Sequence, residues 1–200
     1  MASNLVWVDC EMTGLDLEKD EIVEIAVIVT DSNLQILDEG LQLVIKPSEQ
    51  ALSNMGEFVT KMHEKSGLLP ELENGITLEQ ADQQVTEYVK KFVDEPRTAP
   101  LCGNSIGTDR MFINRQLPNL DSFLHYRNID VSSIKELSRR WFPDVYQQQP
   151  KKAGDHRALS DIKESIIELR YYREVVLVDE PGPKAEDAKE VAKRVQADTI

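Results

Sequence analysis

The sequence predicts an α/β fold in which helices flank a mixed five-stranded sheet, with an antiparallel meander joined to parallel strands. The first observation is a set of closely spaced β-rich runs, at residues 5–8, 21–30 and 41–46, separated by turn residues. The second is that the remaining chain alternates helical periodicity with short strand-like runs at residues 100–104 and 129–131. Strands joined by short turns pair antiparallel, whereas strands separated by helices can pair in parallel, so both pairings are expected.

The predicted helices begin at recognisable N-terminal signals. Thr77 and Gln80 form a capping-box pattern that opens a helix over residues 78–94. Ser133 and Glu136 form a second such pattern, for a helix that runs through Trp141. Two further helices are predicted over residues 109–116 and 157–176, and the last carries an apolar stripe of Leu159, Ile162, Ile166, Leu169 and Tyr172.

The chain is predicted to form one compact domain over residues 1–178, followed by a charged tail over residues 179–200. After Pro181-Gly182-Pro183 the composition shifts to Ala, Lys, Glu and Asp. We expect this tail to be partly helical or disordered, because it offers little apolar surface to bury.

Composition limits the partners. With 23 basic and 36 acidic residues, the 200-residue chain carries a formal net charge of −13. Affinity for long nucleic acid comes from many basic contacts with phosphates, so no stable long nucleic-acid partner is expected. Neither a membrane-spanning run nor a targeting segment is evident, so we expect a cytoplasmic protein; mitochondrial residence would require a targeting segment missing from this chain. Cys10 and Cys102 match no metal or redox spacing and are expected to be buried, reduced thiols.

Asp9 and Glu11 stand where the first apolar run ends. Alternate residues of a strand project to the same side, so these two carboxylates should share one face while Cys10 points away. Neighbouring carboxylates repel each other unless one is protonated or a cation lies between them, and hard divalent cations prefer oxygen ligands. Such a pair also occurs without a metal, so a metal site needs further ligands.

Asp109 follows a loop of small residues and opens a predicted helix. It fits two roles, either a first-turn acid that stabilises the helix dipole or a further carboxylate of a metal site.

His156 and Asp161 lie near the start of the last predicted helix. On one regular helix this spacing would place their side chains about 140° apart. They can converge only if His156 lies before the helix and its loop bends back, which Gly154 allows. Asp161 falls beside Ile162 of the apolar stripe, an unusual place for an unpaired charge. His156 alone is equally explained as a satisfied structural histidine.

These acids and the histidine occur in one order on an α/β framework, and that order resembles the DEDDh exonucleases, which have an RNase H-like fold. Longer strings across residues 5–174 resemble the oligoribonuclease family, namely WVDCEMTGLD, KSGL, GNSIGTDRMF, HYRNIDVS, KELSRRW and HRALSDI. Members of that family carry two acids where this chain has Ser160 and Asp161. Asp161 matches the family's metal ligand, and the chain differs only at its neighbour, Ser160. No resemblance is found beyond Glu174.

The resemblance implies a 3′→5′ exoribonuclease that hydrolyses very short RNA, such as dinucleotides, to nucleoside 5′-monophosphates by a two-metal-ion mechanism. It assigns Asp9, Glu11, Asp109 and Asp161 as ligands of two divalent cations, Mg²⁺ or Mn²⁺. It assigns His156 as the base that takes a proton from the attacking water.

The resemblance also implies a substrate site for single-stranded RNA. Leu15 and Phe58 match apolar residues that wedge against the bases, with Phe58 in the place of a tryptophan. His63 matches another residue near the site.

The same resemblance implies recognition of the far end of the substrate and assembly as a homodimer. Ser105, Arg127 and Ser132 match residues that cap a 5′ phosphate, and a guanidinium can hold a terminal phosphate bidentately. Tyr126 matches a residue contributed to the site by the partner subunit.

Two other functions compete with this interpretation. A DEDDh exonuclease acting on RNA or DNA 3′ ends of broader length is disfavoured by the HYR and GNS strings and by the charge of −13. A non-catalytic nucleotide-binding or scaffold protein is disfavoured because this chain keeps all five metal-site and base residues.

Overall fold

The computed structural model describes residues 3–151, 154 and 156–197. Its centre is a five-stranded mixed sheet with the order β3-β2-β1-β4-β5, which confirms the predicted fold class. The strands are β1 (Leu5–Met12), β2 (Ile22–Thr30), β3 (Leu41–Val44), β4 (Leu101–Gly103) and β5 (Asn128–Asp130). Strands β1, β2 and β3 pair antiparallel, and β4 and β5 run parallel to β1.

Strand β1 extends past the apolar run that predicted it. The ladder with β2 continues through Asp9, which pairs with Ala26, and Glu11, which pairs with Glu24. Because β1, β4 and β5 are parallel, their carboxyl ends meet at one edge of the sheet, where ligands of α/β proteins commonly bind.

Helices cover both faces of this sheet. They are α1 (Glu49–Asn54), α2 (Glu57–Ser66), a 3₁₀ helix (Leu69–Asn74), α3 (Leu78–Lys90), α4 (Gly107–Gln116), α5 (Pro118–Phe123), α6 (Val131–Trp141), α7 (Pro143–Gln147), α8 (Ala158–Val175) and α9 (Ala185–Ala197). The capping box predicted for α3 is present, with reciprocal bonds between Thr77 and Gln80. No separate helix is predicted from the sequence for residues 118–123, yet Pro118 lies in the first turn of α5, where proline is well tolerated.

The capping box predicted at Ser133 and Glu136 is wrong. Helix α6 already begins at Val131, and its N-cap is Asp130, whose carboxylate accepts the backbone N–H of Ser132 at 2.9 Å. Strand β5 passes directly into the helix, so Ser133 lies inside the first turn. Glu136 instead forms exposed ion pairs within the same helix.

Apolar side chains fill a core on each face of the sheet. On one face Val8 and Cys10 pack with α3, α4 and α5, and on the other Trp7 packs against α8. Helix α8 buries Ala158, Ile162, Ile166, Leu169 and Tyr172, while Leu159 of the predicted stripe is only partly buried. Cys10 and Cys102 are free and buried on opposite faces, as predicted.

Helix α9 is exposed along its whole length. The domain boundary at residue 178 stays a prediction, and residues 198–200 of the predicted tail lie outside the described residues. Among the described residues, no helix combines the length and the apolar character needed to cross a membrane.

Candidate active site

The carboxyl end of β1 presents Asp9 and Glu11 on the face of the sheet that α8 covers. Trp7, two residues before Asp9, packs in the core beneath α8, whereas Cys10 packs in the opposite core. Strand alternation therefore directs both carboxylates to the α8 side, as the sequence predicts. Glu11 is buried and Asp9 is partly exposed.

Asp109 brings a third carboxylate to β1. It lies in the first turn of α4, is buried, and accepts the backbone N–H of Cys10 at a distance of 3.0 Å. Strand β4 ends at Gly103, so Asp109 supplies the acceptor that a longer β4 would have offered to this amide. Both roles considered for Asp109 are thus compatible with its position, because a first-turn acid of α4 reaches the end of β1.

His156 and Asp161 flank the start of α8. Gly154 has φ +68° and His156 has φ +51°, so the chain bends back just before the helix. A ring nitrogen of His156 and carboxylate oxygens of Glu11 and Asp161 lie within 4.8 Å of one another. The convergence that the sequence made conditional on a bend is therefore present.

Burial raises the pKa values of Asp9, Glu11 and Asp109, and repulsion from neighbouring carboxylates adds to the effect at Asp9 and Glu11. Burial, followed by the charge of Asp161, raises the pKa of Glu11 to about 8. Burial raises the pKa of Asp109 to about 7. Burial, followed by the charges of Asp109 and Asp161, also raises the pKa of Asp9 well above its usual range.

A divalent cation suits this donor set. The charged forms of Asp9, Glu11 and Asp109 are destabilised by burial and by nearby negative charge, and a cation among them would offset that cost. Carboxylate oxygens are the ligands that Mg²⁺ and Mn²⁺ prefer. Asp9, Glu11, Asp109 and Asp161 could therefore hold divalent cations, with His156 at the edge of the group.

An ion-pair clamp that the sequence patterns do not predict lies beside this site and is formed by Arg157 with Glu24 and Glu71. The Arg157 guanidinium donates to Glu24 at 3.0 Å through Nε and to both carboxylate oxygens of Glu71 at 3.2 and 3.1 Å. Glu24 also accepts the backbone N–H of Ala158 at 2.9 Å, and so caps the first turn of α8 from β2. This clamp fixes the backbone between His156 and α8.

One signal could have revealed Glu24. It lies within a strand of nine buried residues, where an acid needs a partner to offset the cost of burial. The sequence does not indicate which basic residue provides that partner, because Arg157 lies 133 residues away.

Two exposed apolar side chains lie on the segments that adjoin the end of β1. Leu15, in the loop after β1, is 76% exposed, and Phe58, in the first turn of α2, is 80% exposed. Helix α2 is docked on β1 through His63, whose ring donates from Nε2 to the carbonyl of Met12 at 2.9 Å. His63 Nδ1 lies 3.9 Å from Glu11 Oε2, and the ring is fully buried. His63 thus lies behind Glu11, and its contact with substrate stays a prediction.

The ends of β4 and β5 bring Ser105 and Ser132 together. The Ser105 N–H donates to Ser132 Oγ at 2.8 Å and to Asp130 Oδ1 at 3.0 Å, and the two hydroxyl oxygens lie 3.2 Å apart. Ser105 has φ +51°, in the left-handed backbone region that residues other than glycine rarely adopt, and these hydrogen bonds hold it there. We call Ser105 and Ser132 the hydroxyl pair.

Arg127 and Tyr126 lie at the other end of β5 from Ser132. Tyr126 is 75% exposed, and the Arg127 guanidinium lies 5.6 Å from the centre of its ring. Among the contacts of the described residues, Arg127 is joined to His125 and Tyr126 rather than to the hydroxyl pair. The roles assigned to Arg127 and Tyr126 stay predictions.

Comparison with known proteins identifies a family. A family model described as an exonuclease matches residues 6–169. An oligoribonuclease of Streptomyces griseus is 55% identical over 197 residues, which cover 98% of each chain. An oligoribonuclease of Leifsonia xyli is 57% identical over 188 residues, covering 94% of this chain and 91% of the relative. The first match is long enough to include much of the tail beyond Glu174, where the sequence analysis found no resemblance.

Solved structures support the fold. A zinc-bound complex of Escherichia coli exonuclease I with single-stranded DNA has a TM-score of 0.68 at 13% identity. An exonuclease I of Methylocaldum szegediense has a TM-score of 0.62 at 19% identity. This chain spans 41% of each of those longer chains. At such identities the likeness concerns the fold, an exonuclease fold of the RNase H-like type.

Proposed function

Because the chain belongs to the oligoribonuclease family of 3′→5′ exonucleases, we propose that it hydrolyses very short RNA to nucleoside 5′-monophosphates. The observation that carries this proposal is the approach of Glu11, His156 and Asp161 to within 4.8 Å at the carboxyl end of β1. Such a group can hold an attacking water, and through bound cations it could offset the negative charge of a phosphodiester.

Asp9, Glu11, Asp109 and Asp161 are the ligands that we assign to two divalent cations, Mg²⁺ or Mn²⁺. When bound, the cations supply positive charge for the phosphate and make a water more acidic. The four carboxylates fix where that charge lies, because β1, α4 and α8 each hold their own acid in the rigid core.

His156 is the general base in this proposal. Its ring nitrogen takes a proton from the attacking water, whose oxygen forms a bond to phosphorus. The bond from phosphorus to the 3′ oxygen of the preceding nucleotide breaks, and that oxygen takes up a proton from solvent. The exposed position of His156 lets it return its proton to water after each turnover.

The spacing of strand ends favours short substrates. Strand β5 lies two strand positions from β1, so the hydroxyl pair and the carboxylates are separated by about 10 Å. Stacked nucleotides rise about 3.4 Å each, so this distance corresponds to at most about three nucleotides. The net charge of −13 disfavours the binding of a longer strand.

Further substrate contacts are assigned by family resemblance. Leu15 and Phe58, both exposed, offer apolar surfaces against which bases can stack. Ser105, Ser132 and Arg127 would bind the 5′ phosphate. We propose a homodimer in which the partner contributes its Tyr126, and residence in the cytoplasm.

The decisive experiment compares a 5′-phosphorylated RNA dinucleotide with a strand of about 20 nucleotides, each assayed with Mg²⁺, with Mn²⁺ and with EDTA. We expect metal-dependent release of 5′-mononucleotides and much faster turnover of the dinucleotide. Preference for the longer strand, or for DNA, would favour an exonuclease of broader length range. Turnover that persists in EDTA would contradict the assigned cation site.

A further inference from the structure

A partly buried polar network joins the hydroxyl pair to α8. Asn104, at the end of β4, donates from Nδ2 to Ser165 Oγ at 2.8 Å and to Glu168 Oε2 at 3.0 Å. Its Oδ1 accepts the hydroxyl of Ser132 at 3.1 Å. The side-chain amide of Asn104 thus connects α8 with the hydroxyl pair.

Glu168 makes this connection directional. A carboxylate only accepts hydrogen bonds, so the NH₂ group of Asn104 must face Glu168 and the carbonyl oxygen must face Ser132. The Ser132 hydroxyl must then donate to Asn104, which leaves its lone pairs for the N–H of Ser105. The hydroxyl of Ser105 remains as the donor of the pair, on an exposed residue.

Glu168 is costly to bury, which suggests that it serves more than stability. It is 2% exposed, and Lys135 Nζ lies 3.1 Å from its Oε1. Buried ion pairs often contribute little net stability, because desolvation offsets their attraction. Their better-attested benefit is a unique arrangement of the groups around them.

We propose that Asn104, oriented by Glu168, is a specificity-positioning residue that acts through Ser132 to preset the Ser105 hydroxyl as a donor to the terminal 5′ phosphate of the substrate. The network also reaches the metal-ligand helix, because Ser165 Oγ donates to the carbonyl of Asp161 at 2.8 Å. Recognition of the 5′ end is therefore built on the same helix as the chemistry. This inference rests on the proposed function, since it requires a substrate whose far end carries a phosphate.

The test measures kcat/KM for a 5′-phosphorylated and a 5′-hydroxyl RNA dinucleotide, and uses their ratio as the readout. Asn104→Asp keeps the shape of the side chain but places a carboxylate against Glu168 and removes both donors. We expect the ratio to fall about tenfold, because repulsion from Glu168 displaces the oxygen that holds the Ser132 hydroxyl, and one or two hydrogen bonds to the charged phosphate are then lost. The loss should lie mainly in KM for the phosphorylated substrate. Glu168→Gln, which is also isosteric, should lower the ratio by a smaller factor, because a glutamine amide no longer dictates the orientation of Asn104.

Asn114→Asp is the matched control. Asn114 on α4 donates to Asp121 at 2.8 Å, so the substitution makes the same chemical change beside another carboxylate. Its ratio should stay at the wild-type value. In a Ser132→Ala background, Asn104→Asp should cause little further change in the ratio, because its effect passes through Ser132.

The outcomes separate this inference from the proposed function. A wild-type ratio near one would overturn both the 5′-phosphate assignment and the role of Asn104. A high wild-type ratio that survives in both Asn104→Asp and Glu168→Gln would overturn the inference alone. Equal losses on the two substrates, together with a lowered melting temperature, would make Asn104 a structural residue and also overturn it.

Discussion

The two ends of the proposed substrate site are stabilised in opposite ways. At the end of β1, burial and then repulsion from neighbouring carboxylates raise the pKa of Glu11 to about 8. At the ends of β4 and β5, neutral hydroxyl and amide groups satisfy one another through Ser105, Ser132 and Asn104. The carboxylate end is repulsive until a cation binds, whereas the hydroxyl end is arranged before any ligand arrives.

This difference shows which end suits the chemical step and which end suits the choice of substrate. A repulsive cluster gains most when charge is supplied, so it suits chemistry on a phosphodiester. A preset hydrogen-bond network loses little order on binding, so it suits recognition of a terminal group. Variants of the carboxylate end should therefore change turnover of every substrate, while variants of the hydroxyl end should change the choice between substrates.

The largest effect is expected from Asp9→Ala and Asp161→Ala. Each removes an assigned cation ligand, so we expect kcat to fall by about a thousandfold or more. Each also removes repulsion, so the melting temperature of the metal-free protein should stay the same or rise. Steady-state kinetics and thermal unfolding in EDTA measure the two effects. Near-normal activity in either variant would contradict the assignment.

The next effect concerns the Arg157 clamp. Arg157→Ala should lower kcat about a hundredfold, because small displacements of a catalytic group are costly and this clamp holds the backbone after His156. Arg157→Lys should recover part of the loss, since a lysine can still pair with Glu24. Arg139→Ala is the control, because Arg139 forms a similar two-bond pair with Glu136 on an exposed helix surface.

A double-mutant cycle distinguishes positioning from general destabilisation. If Arg157 acts through His156, its loss should matter much less once His156→Ala is present. If the two substitutions lower kcat by independent factors that multiply in the double variant, Arg157 does not act through His156.

Much of this contrast could be predicted from the sequence, and the reasons for the rest are physical. Asp9 and Glu11 were predictable because strand alternation is a local property, and the bend at Gly154 because glycine permits it. The clamp and the network were not, because they join distant residues: Arg157 and Glu24 are 133 apart, and Asn104 and Glu168 are 64 apart. Hydrogen bonds between side chains depend on tertiary placement, which local patterns do not encode.

The start of α6 shows a local error of the same origin. Ser133 and Glu136 match a capping box, but Asp130 lies closer to the strand end and caps the helix first. Where a strand runs straight into a helix, the position of the strand decides which cap is used.

A smaller effect should come from Arg127→Ala, just before β5. If its guanidinium leaves the Tyr126 ring to hold the 5′ phosphate, KM for the phosphorylated dinucleotide should rise about tenfold, with kcat little changed. The KM of Arg127→Lys should lie between those of the wild type and Arg127→Ala, because an ammonium group carries the charge but cannot bind bidentately. Arg140→Ala, which breaks an exposed pair with Glu136, serves as the control. An unchanged KM would remove Arg127 from the phosphate site.

The smallest effect is a pH dependence of stability that only the carboxylate end should produce. In the folded protein the pKa values of Glu11 and Asp109 are raised to about 8 and about 7. In the unfolded chain they return to about 4. The metal-free folded state therefore holds more protons between these values, and its stability should fall as pH rises from about 4 to about 8.

Mn²⁺ binds the deprotonated carboxylates, so the stabilisation it provides should grow over the same interval. Thermal unfolding near pH 5 and near pH 8, with and without Mn²⁺, measures both trends, and Glu11→Gln should flatten the metal-free slope. An Mn²⁺ shift that is equal at both pH values would mean that the ion binds away from these carboxylates. Asn104→Asp, at the hydroxyl end, should leave the pH dependence of the Mn²⁺ shift in place, because that network contains none of the assigned cation ligands.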